Sequence, residues 1–202
     1  MTFNPALHNR QSIRLHGYDY SQSGAYFITI CAYKKQNIFG TIVDAEMKLN
    51  LAGQYAFAQW MMIPKRFNIV ELGEVIIMPN HIHGIIVIQS GRGDTQRGTS
   101  GLDNGDPGAR EWLISNPSPL QENDNTQPNG TIRGSIGAII QNFKSSVSRK
   151  INAMPKMKGI KIWQKNYYDH IIRDEEDYAR IVEYIRNNPQ SWEKDELFDL
   201  GL

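Results

Sequence analysis

The spacing of apolar positions along this chain changes several times, and each change marks an element. Tyr26 to Ala32 is a β-branched and aromatic run behind the turn signal Ser21-Gln-Ser-Gly24, which predicts a first core strand. Two short apolar pieces, Thr41 to Val43 and Met47 to Leu49, flank Asp44-Ala-Glu46 and suggest a hairpin, or a strand followed by a turn. From Leu51 to Phe67 the chain is rich in Ala, Gln, Leu and Met, with Ala56, Trp60 and Ile63 among its apolar positions, so a helix is expected that Pro64 ends or kinks. Asn68 to Met78 and His81 to Ile88 then read as two strands joined at the turn-prone Pro79-Asn80.

The second half begins with a break in pattern. Residues 91 to 130 hold seven of the 17 glycines and four of the nine prolines, with Asn and Asp between them. Such a composition buries too little apolar surface to offset ordering entropy, so about 90–130 reads as a flexible insertion in a single domain spanning 1–202. After it, Ile132, Ile136, Ile139, Ile140, Phe143, Val147 and Ile151 fall at helical spacing and predict an amphipathic helix over Thr131 to Ile151. Ile162 to Ile172 reads as a strand with a bend. Asp174 then caps a helix with acidic first-turn residues, which runs to Asn188 before Pro189 ends it. This order of strands, hairpin-type connections and helices predicts an α+β fold: a central, largely antiparallel sheet of four or five strands packed with about three helices.

Composition changes the picture in three ways. The chain has 202 residues, with 40% hydrophobic and 21% charged, as a globular domain has, and no run long and apolar enough for a membrane span. With no apolar leader behind a basic start, cytoplasm is the expected compartment and no membrane partner is expected. Cys31 is the only cysteine, so a thiolate cluster cannot hold zinc. The formal charge of +1 conceals a basic stretch: from Thr131 to Arg173 nine Lys or Arg stand against Asp169 alone, a local +8. A concentrated basic region is the footprint of a polyanion-binding surface, although a solvated helix face can show the same pattern. Arg133, Lys144, Arg149, Lys150 and Lys165 are the candidates for phosphate contacts. Tyr167, Trp163 and Tyr168 interleave with them, and aromatic faces stack on unpaired bases, although Trp163 also suits the core. No Gly-rich phosphate loop is present.

The candidate chemistry lies in His81-Ile82-His83-Gly84. Two imidazoles one residue apart on a strand point to the same face and form half a metal site. A pair of hydrogen-bonded structural histidines would have the same spacing. The last helix supplies a second element: Tyr178, Ile181, Val182 and Ile185 form its core stripe, and Tyr184 falls on the flank with Asn188 one turn later. A phenol beside a metal-bound phosphate is a competent nucleophile, while a helix-flank Tyr and a helix-end Asn also have ordinary structural uses. Two imidazole nitrogens and one amide oxygen leave coordination positions open, which suits Mg²⁺ or Mn²⁺ better than a closed zinc site.

Three segments, Met78 to Ile85, Trp163 to His170 and Tyr184 to Pro189, occur together in an order that resembles the REP-associated tyrosine transposases, relatives of the single-tyrosine HUH transposases. The resemblance covers most of residues 25 to 192. It implies a ferredoxin-like fold, His81 and His83 as metal ligands, Asn188 as the third ligand and Tyr184 as the nucleophile. It also implies cleavage of single-stranded DNA near hairpins of the REP type, through a covalent 5′-phosphotyrosine that releases a 3′-OH. A catalytically silent DNA-binding protein of the same fold is the alternative, and a cupin-like small-molecule enzyme would need more strands than the pattern supplies. The strand after Asn80 is apolar on both faces, so it needs cover from helices or from a second copy in a homodimer.

Overall fold

The computed structural model describes residues 19–89 and 132–194. Within them the β-branched runs become β1 (Gly24–Cys31), β2 (Gly40–Val43), β3 (Glu46–Leu49), β4 (Val70–Ile77), β5 (His81–Ile88) and β6 (Tyr168–Ile172). The helices are α1 (Leu51–Met61), α2 (Ile63–Arg66), α3 (Ile136–Asn152) and α4 (Glu175–Asn187), with 3₁₀ turns at Tyr33–Lys35 and Asn188–Lys194. The expected insertion at about 90–130 lies outside the described residues.

Four strands form one antiparallel sheet in the order β4-β5-β1-β6, and β2 pairs with β3 as a separate hairpin. With β2 and β3 set aside, the order β1-α1-β4-β5-α3-β6 is the ferredoxin-like pattern, so the α+β class and the antiparallel sheet are as expected. All eight residues of β5 are buried, and its period of two divides them between two layers. Ile82, Ile86 and Ile88 join Tyr26, Ile28 and Ile30 of β1 in a large core with Trp60 of α1 and Ile139, Phe143 and Val147 of α3. Ile85 and Val87 join Ala25, Ile172 and the Ile181 and Ile185 stripe of α4 on the other side. Helices of the same chain therefore cover both faces of the sheet, and this burial needs no second subunit.

Gly84 sets the spacing of the first layer. A Cβ built there would lie 2.4 Å from Cζ2 of the Trp60 indole, so α1 reaches the sheet only because position 84 has no side chain. On the other face, the Arg186 guanidinium donates to the Glu74 carboxylate at 3.0 Å and links α4 to β4.

Local chemistry explains where elements depart from their expected bounds. The helix expected from Thr131 starts at Ile136, because Gly134 adopts a φ of +82° and the Ser135 hydroxyl accepts from the Ala138 N–H as an N-cap. Ile132 is left exposed outside it. The strand expected from Ile162 is regular only from Tyr168, apart from a lone bridge between Trp163 and Ala32. The Lys144 ammonium turns inward and donates to the carbonyls of Gln164 at 2.6 Å, Asn166 at 3.2 Å and Lys165 at 3.3 Å. Three successive carbonyls turned toward one cation depart from the alternating directions of an extended strand. The Trp163 indole N–H donates to the Lys144 carbonyl at 3.0 Å, closing the same turn.

Candidate functional site

The register of β1 against β5 pairs Thr29 with His83 and Cys31 with His81, on the face that α4 covers. Both imidazoles are buried and their ring centres lie 4.4 Å apart. His81 Nδ1 is 2.8 Å from the Asn80 side-chain oxygen. That oxygen can only accept, so Nδ1 carries a proton. His83 Nδ1 is 2.8 Å from the Thr29 hydroxyl. Burial, and after it the neighbouring His81, hold the His83 pKa well below the ordinary 6.5, so this ring is neutral at physiological pH. A neutral imidazole oriented through its other nitrogen by a hydrogen bond is the form in which histidine ligates metals, and Thr29 orients His83 in this way.

Tyr184 lies over this pair. Its hydroxyl is 3.3 Å from His83 Nε2, its ring packs edge-on against Phe27, and Phe27 in turn stacks on His83. The tyrosine is 47% exposed although its partner is buried, so one side of the phenol faces solvent. Asn188, at the C-cap of α4, is only 2% exposed. The two residues also line one cleft of about 320 Å³ with Arg180, Glu183, Asn187 and Ser191. The structure thus brings Tyr184 to His83 and sets His81 beside it, with Asn188 buried one turn beyond the phenol. Among the described residues no third His, Cys, Asp or Glu completes a metal-binding group with the histidines. A metal held here would rest on two imidazole nitrogens and an uncharged oxygen, a donor set that fits an open Mg²⁺ or Mn²⁺ site and not a closed structural one.

The cationic candidates divide. Arg133, Arg149, Lys150 and Lys165 are exposed. Lys144 is not the outward phosphate contact its place in a basic run suggested: its ammonium is spent on backbone carbonyls, and burial lowers its pKa to about 8 against an opposing influence from Cys31. Tyr167 turns inward against the main core, whereas its neighbour Tyr168 is exposed. Sequence reasoning missed Thr29, which orients His83, and Trp192, whose ring stacks on His81 at 5.9 Å. The parity of Thr29 with Phe27 was visible along the chain; its partner across the sheet was not. Arg180, Glu183, Asn187 and Ser191 were missed too, although their spacing with Tyr184 along α4 carried the signal.

No family model matches the chain. An uncharacterized protein of Haemophilus influenzae is 39% identical over 196 residues, which are 97% of each chain. Among solved structures, a REP-associated tyrosine transposase bound to a REP hairpin superposes with a TM-score of 0.52 at 16% identity, covering 90% of this chain and 74% of that one. At that identity the likeness is one of fold. No helix among the described residues is long and apolar enough to cross a membrane.

Proposed function

We propose that this chain, which belongs to one family with the uncharacterized Haemophilus influenzae protein, is a metal-dependent single-stranded DNA endonuclease and strand transferase. Its substrate in this reading is DNA bearing hairpins, as in the REP hairpin held by the transposase of the same fold. The observation that carries the proposal is the hydroxyl of half-exposed Tyr184, 3.3 Å from Nε2 of a buried, neutral histidine that has a second histidine at its side.

Tyr184 is the nucleophile. Its oxygen forms a bond to phosphorus, the bond from phosphorus to the 3′ oxygen breaks, and the phenol's proton ends on that oxygen. The products are a 5′-phosphotyrosine and a 3′-OH, and the reverse attack by a 3′-OH rejoins strands. Phe27 fixes the phenol ring from its edge and stacks on His83, so nucleophile and imidazole keep one relative orientation. Thr29 and Asn80 orient the two imidazoles. His81, His83 and Asn188 are the residues to hold Mg²⁺ or Mn²⁺, which when bound would polarise the phosphoryl oxygens and stabilise the charge that builds on them.

The test is incubation with a hairpin-bearing single strand and Mg²⁺ or Mn²⁺, followed by denaturing electrophoresis. A covalent protein–DNA adduct is expected, absent with a chelator and restored by added metal. Tyr184→Phe is expected to lose the adduct and keep DNA binding. An undiminished adduct in that variant would remove Tyr184 from its role. Binding without an adduct under either metal would leave a non-catalytic DNA-binding module in place of the enzyme.

A further inference from the structure

The cleft beside Tyr184 is built largely from one stripe of α4. Arg180, Glu183, Tyr184 and Asn187 line it from α4, where separations of three and four residues keep them on one side of the helix, and Asn188 and Ser191 of the following 3₁₀ turn complete it. Every one is polar, and Arg180 is the only cation among them. Arg180 lies four residues before Tyr184, its backbone one turn and about 6 Å along the helix axis from that of the tyrosine, so both side chains can serve one extended strand laid along the cleft.

Arg180 is also held. Its guanidinium donates to the Asp177 carboxylate one turn back, and the other oxygen of that carboxylate is 2.7 Å from His170 Nε2 on β6. His170 pairs in register with Phe27, the residue that packs against both His83 and Tyr184. One carboxylate therefore connects the edge strand to the arginine and sets where the arginine can reach. A guanidinium has five donors in a planar fork, so the bond to Asp177 leaves others for a phosphate. Glu183, in the same cleft, repels a strand that strays toward it.

We propose that Arg180 is the phosphate-binding cation of the Tyr184 cleft, contacting the backbone phosphate next to the one that Tyr184 attacks, with Asp177 and His170 as its positioning residues. This rests on the reading that the cleft takes single-stranded DNA, and the phosphate contact itself does not need the chemistry at Tyr184. The cation lies outside the basic stretch that the sequence singled out.

The experiment measures equilibrium binding of a fluorescent single-stranded oligonucleotide across a range of salt concentrations, alongside the adduct assay. Losing one phosphate contact reduces the slope of log affinity against log salt by about 0.7 for a single strand. Arg180→Ala is expected to weaken binding, show that smaller slope and slow adduct formation. Arg180→Lys is expected to restore the slope and most of the affinity, since it returns the charge without the fork. His170→Ala is expected to weaken binding while the slope stays whole, because it loosens the arginine without removing the phosphate contact. Circular dichroism melting of each variant separates these effects from loss of fold. A slope and affinity in Arg180→Ala equal to wild type would overturn the proposal. The binding arm decides this even for a protein that forms no adduct, so failure of the Arg180 assignment is distinct from failure of the enzymatic one.

Discussion

Gly84 follows the second histidine directly, yet it serves the opposite layer of the protein. The two imidazoles on either side of Ile82 face α4, while Gly84 and Ile82 face α1 and α3, where Trp60 fills the space a side chain would take. Gly84→Ala puts a methyl group 2.4 Å from the indole, and the adjoining ring atoms lie at 3.0 Å, so the whole ring has to move. Overpacking of this kind costs about 1–3 kcal/mol, and urea denaturation is expected to show a loss in that range. An unchanged midpoint would mean that α1 adjusts without cost. At the same scale, Lys144 reads as a surface cation in sequence and proves to be a clasp for backbone carbonyls. Residue type states what a side chain can do, and the turn at Gln164 to Asn166 decides which way this one points.

At the scale of the element, α4 carries most of the proposed chemistry, and it has to be anchored at both ends. The Asp174 side chain accepts from the Asp177 N–H as the N-cap, and Asp177 itself joins His170 and Arg180. Burial works to raise the Asp177 pKa, but the hydrogen bonds from His170 and Arg180 outweigh it, and the folded value lies below the ordinary 3.8. A carboxylate that binds its proton less readily folded than unfolded stabilises the fold fully above the unfolded value. That contribution is lost as the pH falls through the folded value. Asp177→Asn is therefore expected to be less stable than wild type at about pH 6, with the gap narrowing below the usual carboxylate range; denaturation curves at both pH values measure it. A gap that stays constant would place the stabilisation in packing alone. The helix, its cap and its core stripe were all legible in sequence, because periodicity and end signals are local. The joint position of Tyr184 and the histidines follows from strand register and from α4 crossing the sheet, neither of which a linear pattern contains. Counting charge by segment hid Arg180, since the chain from Asp174 onward sums as acidic although one of its cations faces the cleft.

Across the whole molecule, the basic helix and the Tyr184 site lie on opposite layers. α3 packs with α1 on one face of the sheet, whereas His81, His83 and α4 occupy the other. Between them runs β6, an edge strand, preceded by the exposed Lys165 and opening with the exposed Tyr168, which shares a cross-sheet row with Thr29 and His83. A strand of DNA that touches both layers has to pass around that edge. A strand of about eight nucleotides, within the span of one small single-strand site, is expected to respond to Lys165→Ala and Tyr168→Ala and not to Arg149→Ala or Lys150→Ala. A longer hairpin-bearing strand is expected to respond to all four, with the salt slope falling by about 0.7 for each lost cation that contacts single-stranded backbone and by about 0.9 where the contact is duplex. Lys144→Met is expected to leave both slopes unchanged and to lower stability by about 0.5–1.5 kcal/mol, since it removes the donor that the Gln164, Lys165 and Asn166 carbonyls share. If Arg149 and Lys150 change nothing on either substrate, the basic face of α3 is a solvated helix surface, and the DNA path is confined to α4 and the β6 edge.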